Sequence, residues 1–165
     1  DFRTNSSNNT VYADRDGNIA YWHGNFMPKR DPSINWSDIV DGSTEKTEWR
    51  GLHEQSEMIH LLNPASGWIQ NCNSTPFTAT GNLDSSAGRF PNYMSPDKEN
   101  FRGVHAIQLL KGIDKLTADG LRELAFDPLM PGFETVIPGI ISAFDVNKNI
   151  LSGDLSEASP QIILV

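Results

Sequence analysis

Between Asn63 and Phe77 the chain reads Asn-Pro-Ala-Ser-Gly-Trp-Ile-Gln-Asn-Cys-Asn-Ser-Thr-Pro-Phe. Asn63-Pro64 and Ser66-Gly67 are turn signals. Trp68-Ile69-Gln70 predicts a short strand, and Pro76 ends the extended run. On strand alternation Asn71 and Asn73 share one face, with Gln70 and Cys72 on the other. Two amides at the mouth of a strand can donate hydrogen bonds to something in a cleft. They can equally satisfy the backbone of a turn, as asparagine often does, and spacing alone favours that structural role. Cys72, facing the other way, reads as a small buried filler and not as a nucleophile.

The elements that must position these amides are drawn from 165 residues, enough for one domain of ordinary size. Hydrophobic residues make up 38%, which suffices for a modest core. A net charge of -8 and a pI near 4.8 argue against nucleic acid as a partner, because phosphate recognition needs clustered Lys and Arg. No apolar run approaches the ~20 residues of a membrane span. The single cysteine excludes an internal disulfide and a cysteine-based zinc site. The chain opens at Asp1 on a polar run, without a basic-then-apolar leader, so it reads as a piece of a longer protein or a processed product.

Val11-Tyr12-Ala13 and Ile19-Ala20-Tyr21-Trp22-His23 predict a hairpin around Asp14-Arg15-Asp16-Gly17-Asn18, with Gly17 where positive φ is needed. The Asp-rich turn lacks the further acids and closing Glu of an EF-hand. From Gly24 to Leu62 regularity is low, and Trp22, Phe26, Trp36 and Trp49 suggest a loop that is packed down or lines a cleft. His53 and His60 are spaced too far apart in loop-like sequence for a metal pair, and read as surface or capping histidines. Thr78 to Tyr93 reads as an exposed loop. Ser95-Pro96-Asp97 predicts a helix start, followed by an apolar face of Phe101, Val104, Ile107, Leu110 and Ile113. Thr117 should cap a second helix, with Leu121, Leu124 and Ala125 inward and Asp127-Pro128 as its breaker. Phe133, Val136, Ile137, Ile140 and Phe144 give a third helical face, kinked at Pro138 or beginning there. The apolar finish Gln161 to Val165 is either buried or continued in a longer chain. The chain therefore divides into a β and loop part over 8–77 and a helical part over 95–145, an α+β arrangement with the asparagines at the junction.

Several stretches, in order, resemble the penicillin acylase family. Tyr12 to His23 is similar to its "YADxxGNIxYxH" hairpin. Arg30-Asp31-Pro32, Trp49-Arg50-Gly51-Leu52 and Asn63 to Pro76, of the form "NPxSGxIxNxNxxP", follow in the family's sequence order. The last form looks most similar to the branch acting on long acyl chains, such as acyl-homoserine lactone and aculeacin A acylases. The resemblance covers about residues 8 to 145 and rests on these motifs together, in order. It implies an interior segment, 1–165, of the large chain of an N-terminal nucleophile hydrolase, built as part of an αββα sandwich. In such enzymes an N-terminal Ser attacks an amide carbonyl, and its own α-amino group serves as base. A backbone N–H and an Asn amide hold the oxyanion. The resemblance places Asn73 at that oxyanion position and Arg102, in Asn100-Phe101-Arg102-Gly103, at an arginine that orients the amine terminus and the Asn. Without the family, Arg102 would read as a helix-surface ion pair with Glu99 or Asp97. Asn71 returns to a structural role.

The family's nucleophile is absent: Asp1 is no such residue, and Ser6 and Ser7 are internal. The segment alone is therefore expected to be inactive. The resemblance implies the rest of the acylase (its small chain and the nucleophile-bearing part) as partner, an acyl amide as small-molecule substrate, and a periplasmic or secreted setting. It also implies calcium in the intact enzyme, with Asp31-Pro32 contributing a backbone carbonyl and Asp84 a weaker candidate. No cofactor or metal is assigned to this segment. Two other readings are a non-catalytic module that kept the acylase scaffold, and a sugar- or peptide-binding domain built on the aromatic loop.

Overall fold

The computed structural model describes residues 8–24, 26–81 and 85–147. It is α+β: a three-stranded antiparallel sheet, several short 3-10 turns and three α-helices. The chain forms two compact units, Asp1–Asp127 and Pro128–Val165.

In the first unit β1 (Thr10–Ala13) and β2 (Ile19–Trp22) form the predicted hairpin, with Thr10 opposite Trp22 and Ala13 opposite Ile19. Gly17 has φ 89°, as the turn requires. The turn acids serve local structure. Asp14 Oδ1 accepts from the backbone N–H groups of Asp16 and Asn18, both at 2.9 Å, and Oδ2 accepts from the Asn18 amide. The Asn18 amide, first among these bonds, holds the Asp14 carboxyl below its usual range.

The third strand, β3 (His60–Leu62), pairs with β2 through Ala20–Leu62 and Trp22–His60, so β2 is central. It lies where the sequence predicted only irregular chain. Asn63, in the left-handed region at φ 45°, returns to the hairpin turn. Its Oδ1 accepts from Ile19 N–H at 2.9 Å and its Nδ2 donates to Asn18 Oδ1 at 2.9 Å. The core of this unit is small: Ala20, Tyr21, Met58, Ile59, Ala79 and Met94, of which Tyr21 is the largest fully buried side chain. Burial raises the Tyr21 phenol well above its ordinary range.

Beside it His23 Nε2 lies 3.2 Å from the Met94 carbonyl, and Nδ1 lies 3.1 Å from Tyr21 Oη. A carbonyl only accepts, so the neutral ring carries its proton on Nε2 and takes the Tyr21 hydroxyl proton at Nδ1. Burial first, against the opposing Met94 bond and the charge of Asp97, lowers the His23 pKa. The unfolded chain then binds more protons than the folded one below the ordinary value of about 6.5. Stability is complete above that value and is lost as pH falls toward the folded pKa. Urea midpoints of the chain should decline between about pH 7 and 5, and His23→Gln should remove that part of the slope. An unchanged slope in the variant would rule out His23 as its source.

The helices depart from expectation at their starts. α1 (Phe101–Leu110) begins six residues after Ser95, with Asn100 as N-cap: Asn100 Oδ1 accepts from Gly103 N–H at 2.9 Å. Residues 95–100 have no regular structure, and within them Lys98 O accepts from Thr75 N–H at 3.3 Å. That contact overrides the local Ser-Pro-Asp signal. α2 (Ala118–Ala125) starts as predicted, with Thr117 Oγ1 accepting from Gly120 N–H at 3.0 Å. Leu121 and Ala125 nevertheless face solvent, and Leu124 is half-buried. In the second unit α3 (Pro131–Asn147) starts at Pro131, the first-turn position that suits proline, and not at Pro138. Pro138 has no N–H to donate, yet the helix continues through it. The predicted apolar face exists, but Phe133, Val136, Ile137 and Ile140 are exposed. The apolar finish from Gln161 lies outside the described residues.

Nor is 78–93 a plain exposed loop. Ala79 and Met94 are buried, Phe77 packs on Phe90, and 3-10 turns cover Pro76–Thr78, Ser85–Arg89 and Asn92–Met94.

Candidate functional site

Trp68-Ile69-Gln70 is not a strand. It is an arm docked against the Ala79–Gly81 segment: Gln70 N–H bonds Ala79 O at 2.9 Å. Trp68 lies so close to Gly81 (φ 85°) that a Cβ there would meet its ring at 2.7 Å. Beyond the arm the chain turns sharply at Cys72–Ser74, so strand alternation does not hold. Asn73 has φ 55°, the left-handed region, which costs most residues ~1 kcal/mol and which asparagine tolerates best after glycine. Strain of this kind is often kept at working sites.

Three side-chain amides define the turn. Asn71 Oδ1 accepts from Asn73 N–H at 3.3 Å, an Asx-type bond, and from Asn9 Nδ2 at 3.3 Å. Asn9 in turn accepts from Gly24 N–H at 3.0 Å, which ties the turn to the hairpin. Asn100 Nδ2 donates to Cys72 O at 3.1 Å. Asn71 therefore has the structural role expected of it. Cys72 is half-buried instead of fully buried.

The first turn of α1 presents Arg102 to this loop. Its Nη2 donates to Asn73 Oδ1 at 3.2 Å. Arg102 makes no ion pair with Glu99 or Asp97 among the described residues. Glu99 instead accepts from Asn100 N–H at 3.0 Å and from the Thr78 hydroxyl. Asn73 Oδ1 is engaged by a guanidinium, and no partner engages its Nδ2 donor among the described residues. The amide is polarised by the charge on Arg102, which strengthens it as a donor. Both Asn73 and Arg102 are exposed. An exposed, oriented, neutral donor can stabilise an anion without changing its own charge.

Gly103 makes this approach feasible. A Cβ on Gly103 would collide with Glu99 Oε1 and lie 2.7 Å from Ser74 Oγ, and Ser74 is itself buried. Sequence reasoning missed Glu99, Asn100 and Gly103. The pair Asn100 and Gly103, a cap residue with its partner three positions on, was the available signal.

The remaining candidates lie elsewhere. His53 is buried, not a surface residue: Nε2 lies 2.9 Å from Tyr93 Oη and Nδ1 lies 3.3 Å from Glu57 Oε2. A hydrogen bond from Lys29, with an ion pair at 2.9 Å, pulls the Glu57 carboxyl down to about 2. His60 stacks on Trp22 and bonds the Met58 carbonyl. Trp49 is exposed, whereas Trp36 donates to Asp31 O at 2.7 Å and lines a cleft of about 220 Å³ with Asn92 and Tyr93. Arg30 lies over both indoles. The Asp31 carbonyl accepts from Trp36 Nε1, and its carboxylate accepts from Ser33 and Arg50. Asp84 lies outside the described residues, and among those described no three acidic, His or Cys groups converge on a metal position.

The penicillin amidase family model matches residues 1–161 of the chain. Penicillin G acylase of Escherichia coli is 38% identical over 68 residues, which is 41% of this chain and 8% of that protein. A thermostable penicillin G acylase from Alcaligenes faecalis has a similar fold, with a TM-score of 0.50 and 22% identity over 70% of this chain. The match covers 19% of that acylase chain. The chain belongs to the penicillin amidase family. It spans well under a quarter of the length of either relative.

Proposed function

We propose that this segment is one part of an amide hydrolase of the acylase type, built into an αββα sandwich with the rest of its parent. It supplies the oxyanion donor, Asn73, but no nucleophile. The single observation that carries the reading is the Arg102–Asn73 bond at 3.2 Å, which engages Asn73 Oδ1 and leaves the Nδ2 donor, on a turn at φ 55°, without a partner among the described residues.

In the parent, an N-terminal hydroxyl attacks the amide carbonyl of an acyl substrate. The terminal amine, whose ordinary pKa is near ~8, takes its proton. The C–N bond then breaks from a tetrahedral intermediate, and the amine leaves as a neutral molecule after protonation. Asn73 Nδ2 donates to the oxygen that becomes negative in that intermediate. Arg102 holds the amide plane and does not touch the acyl group. The family indicates a periplasmic or secreted parent, and no helix among the described residues is long and apolar enough to cross a membrane.

The 165-residue chain alone should hydrolyse neither benzylpenicillin nor long-chain acyl amides. Turnover by the purified chain would contradict the division of labour. The parent reading frame is expected to carry a Ser, Thr or Cys at a self-cleavage site upstream. Its absence would favour a scaffold that has lost catalysis.

A further inference from the structure

The peptide joining Cys72 to Asn73 is held on both sides by side-chain amides. Its N–H is taken by Asn71 Oδ1 at 3.3 Å, and its carbonyl accepts from Asn100 Nδ2 at 3.1 Å. Rotation of that peptide is the motion that would carry Asn73 out of its left-handed conformation and swing its amide off line. Asn71 belongs to the same turn and moves with it. Asn100 belongs to the opposite element. Its Oδ1 caps α1 through Gly103 N–H at 2.9 Å, next to the arginine that grips Asn73. One side chain thus fixes the oxyanion loop and the helix carrying Arg102 to each other. Its own backbone N–H is held by Glu99 at 3.0 Å.

We infer that Asn100 is a positioning residue of the acylase site, acting through Asn73 by clamping the Cys72–Asn73 peptide to the N-terminus of α1. It does not touch substrate. The inference rests on the oxyanion role of Asn73.

The experiment separates the cap from the clamp. Ser and Asp are as good as Asn at an N-cap, but Asp cannot donate to a carbonyl, and Ser is too short to reach it while capping. In the processed full-length acylase, Asn100→Ser and Asn100→Asp should each lower kcat about three- to tenfold, the scale of one lost neutral hydrogen bond, with KM unchanged. Asn73→Ala is made alongside, and both substitutions are repeated in that background. If Asn100 acts through Asn73, the second set lowers kcat by less than about twofold, because the group it positions is gone. A full extra loss in the Asn73→Ala background would overturn the inference and mark Asn100 as a general stabiliser. Unchanged kcat in both single variants would overturn it as well. An Asn73→Ala enzyme with normal kcat is a different result: it removes the oxyanion reading itself. Should one variant fail to process, the other carries the same comparison.

Discussion

Asn73→Ala in the full-length acylase is expected to lower kcat about 10²- to 10³-fold and to leave KM nearly unchanged, the usual consequence of removing one oxyanion donor. The expectation rests on three features. The amide is neutral, so its donor strength is constant with pH. Its orientation is set before substrate arrives, because Oδ1 is held by Arg102 at 3.2 Å and the backbone sits in a turn at φ 55°. The charge it meets exists only after attack, so the interaction stabilises the transition state and not the ground state. A rise in KM with kcat intact would assign Asn73 to substrate binding instead. A normal rate would remove it from the mechanism.

The second large effect is expected at Gly103. Replacing glycine by alanine inside a helix ordinarily stabilises a protein by up to ~1 kcal/mol. Here the sign should reverse. The new Cβ would collide with Glu99 Oε1 and fall 2.7 Å from Ser74 Oγ and 3.1 Å from Ser74 Cβ. The Glu99 carboxylate is not free to swing away, since it holds Asn100 N–H and the Thr78 hydroxyl. Ser74 is buried in the turn that carries Asn73. Either α1 backs away from that turn or the turn deforms, and overpacking of this kind costs about 1–3 kcal/mol. Gly103→Ala should therefore lower the urea midpoint of the parent and depress kcat together, because Arg102 moves with the helix. A more stable variant with full activity would show that the helix does not need this approach.

The parts of the fold legible in the sequence are those whose signals are local. The hairpin was readable because Gly17 and the Asp14 turn sit between two apolar runs. Thr117 was readable as a cap because nothing outside its own helix competes for its hydroxyl among the described residues. The family motifs pointed to Asn73 and Arg102, and the structure brings them within one hydrogen bond. Their assignment to catalysis is tested by the variants, not by that distance. Asn71 was readable as structural for the same local reason: an asparagine two residues before a turn N–H can accept from it.

What failed depended on distant partners. Ser95-Pro96-Asp97 has each local mark of a helix start, but the Thr75–Lys98 bond and the Asn100 cap delay the helix to Phe101. Trp68-Ile69-Gln70 has strand composition, but its backbone makes one bond across, Gln70 N–H to Ala79 O, and no ladder among the described residues. β3 is three residues long and exists because β2 offers it a partner across about forty residues of chain. His53 lies in loop-like sequence, and its partner Tyr93, forty residues on, is invisible to local reading. The inward face expected of Leu121 and of α3 is exposed, because periodicity shows that a face is apolar and not what covers it.

The central claim is that Asn73 donates to an oxyanion and to nothing in the ground state. A tetrahedral mimic of the intermediate, an acyl phosphonate or boronate matched to the parent's substrate, tests it by affinity in place of rate. Binding of the mimic should weaken about 10²- to 10³-fold from the parent enzyme to Asn73→Ala, in step with kcat/KM, while the affinity for uncleaved substrate stays the same. Equal affinity of the two enzymes for the mimic would contradict the claim.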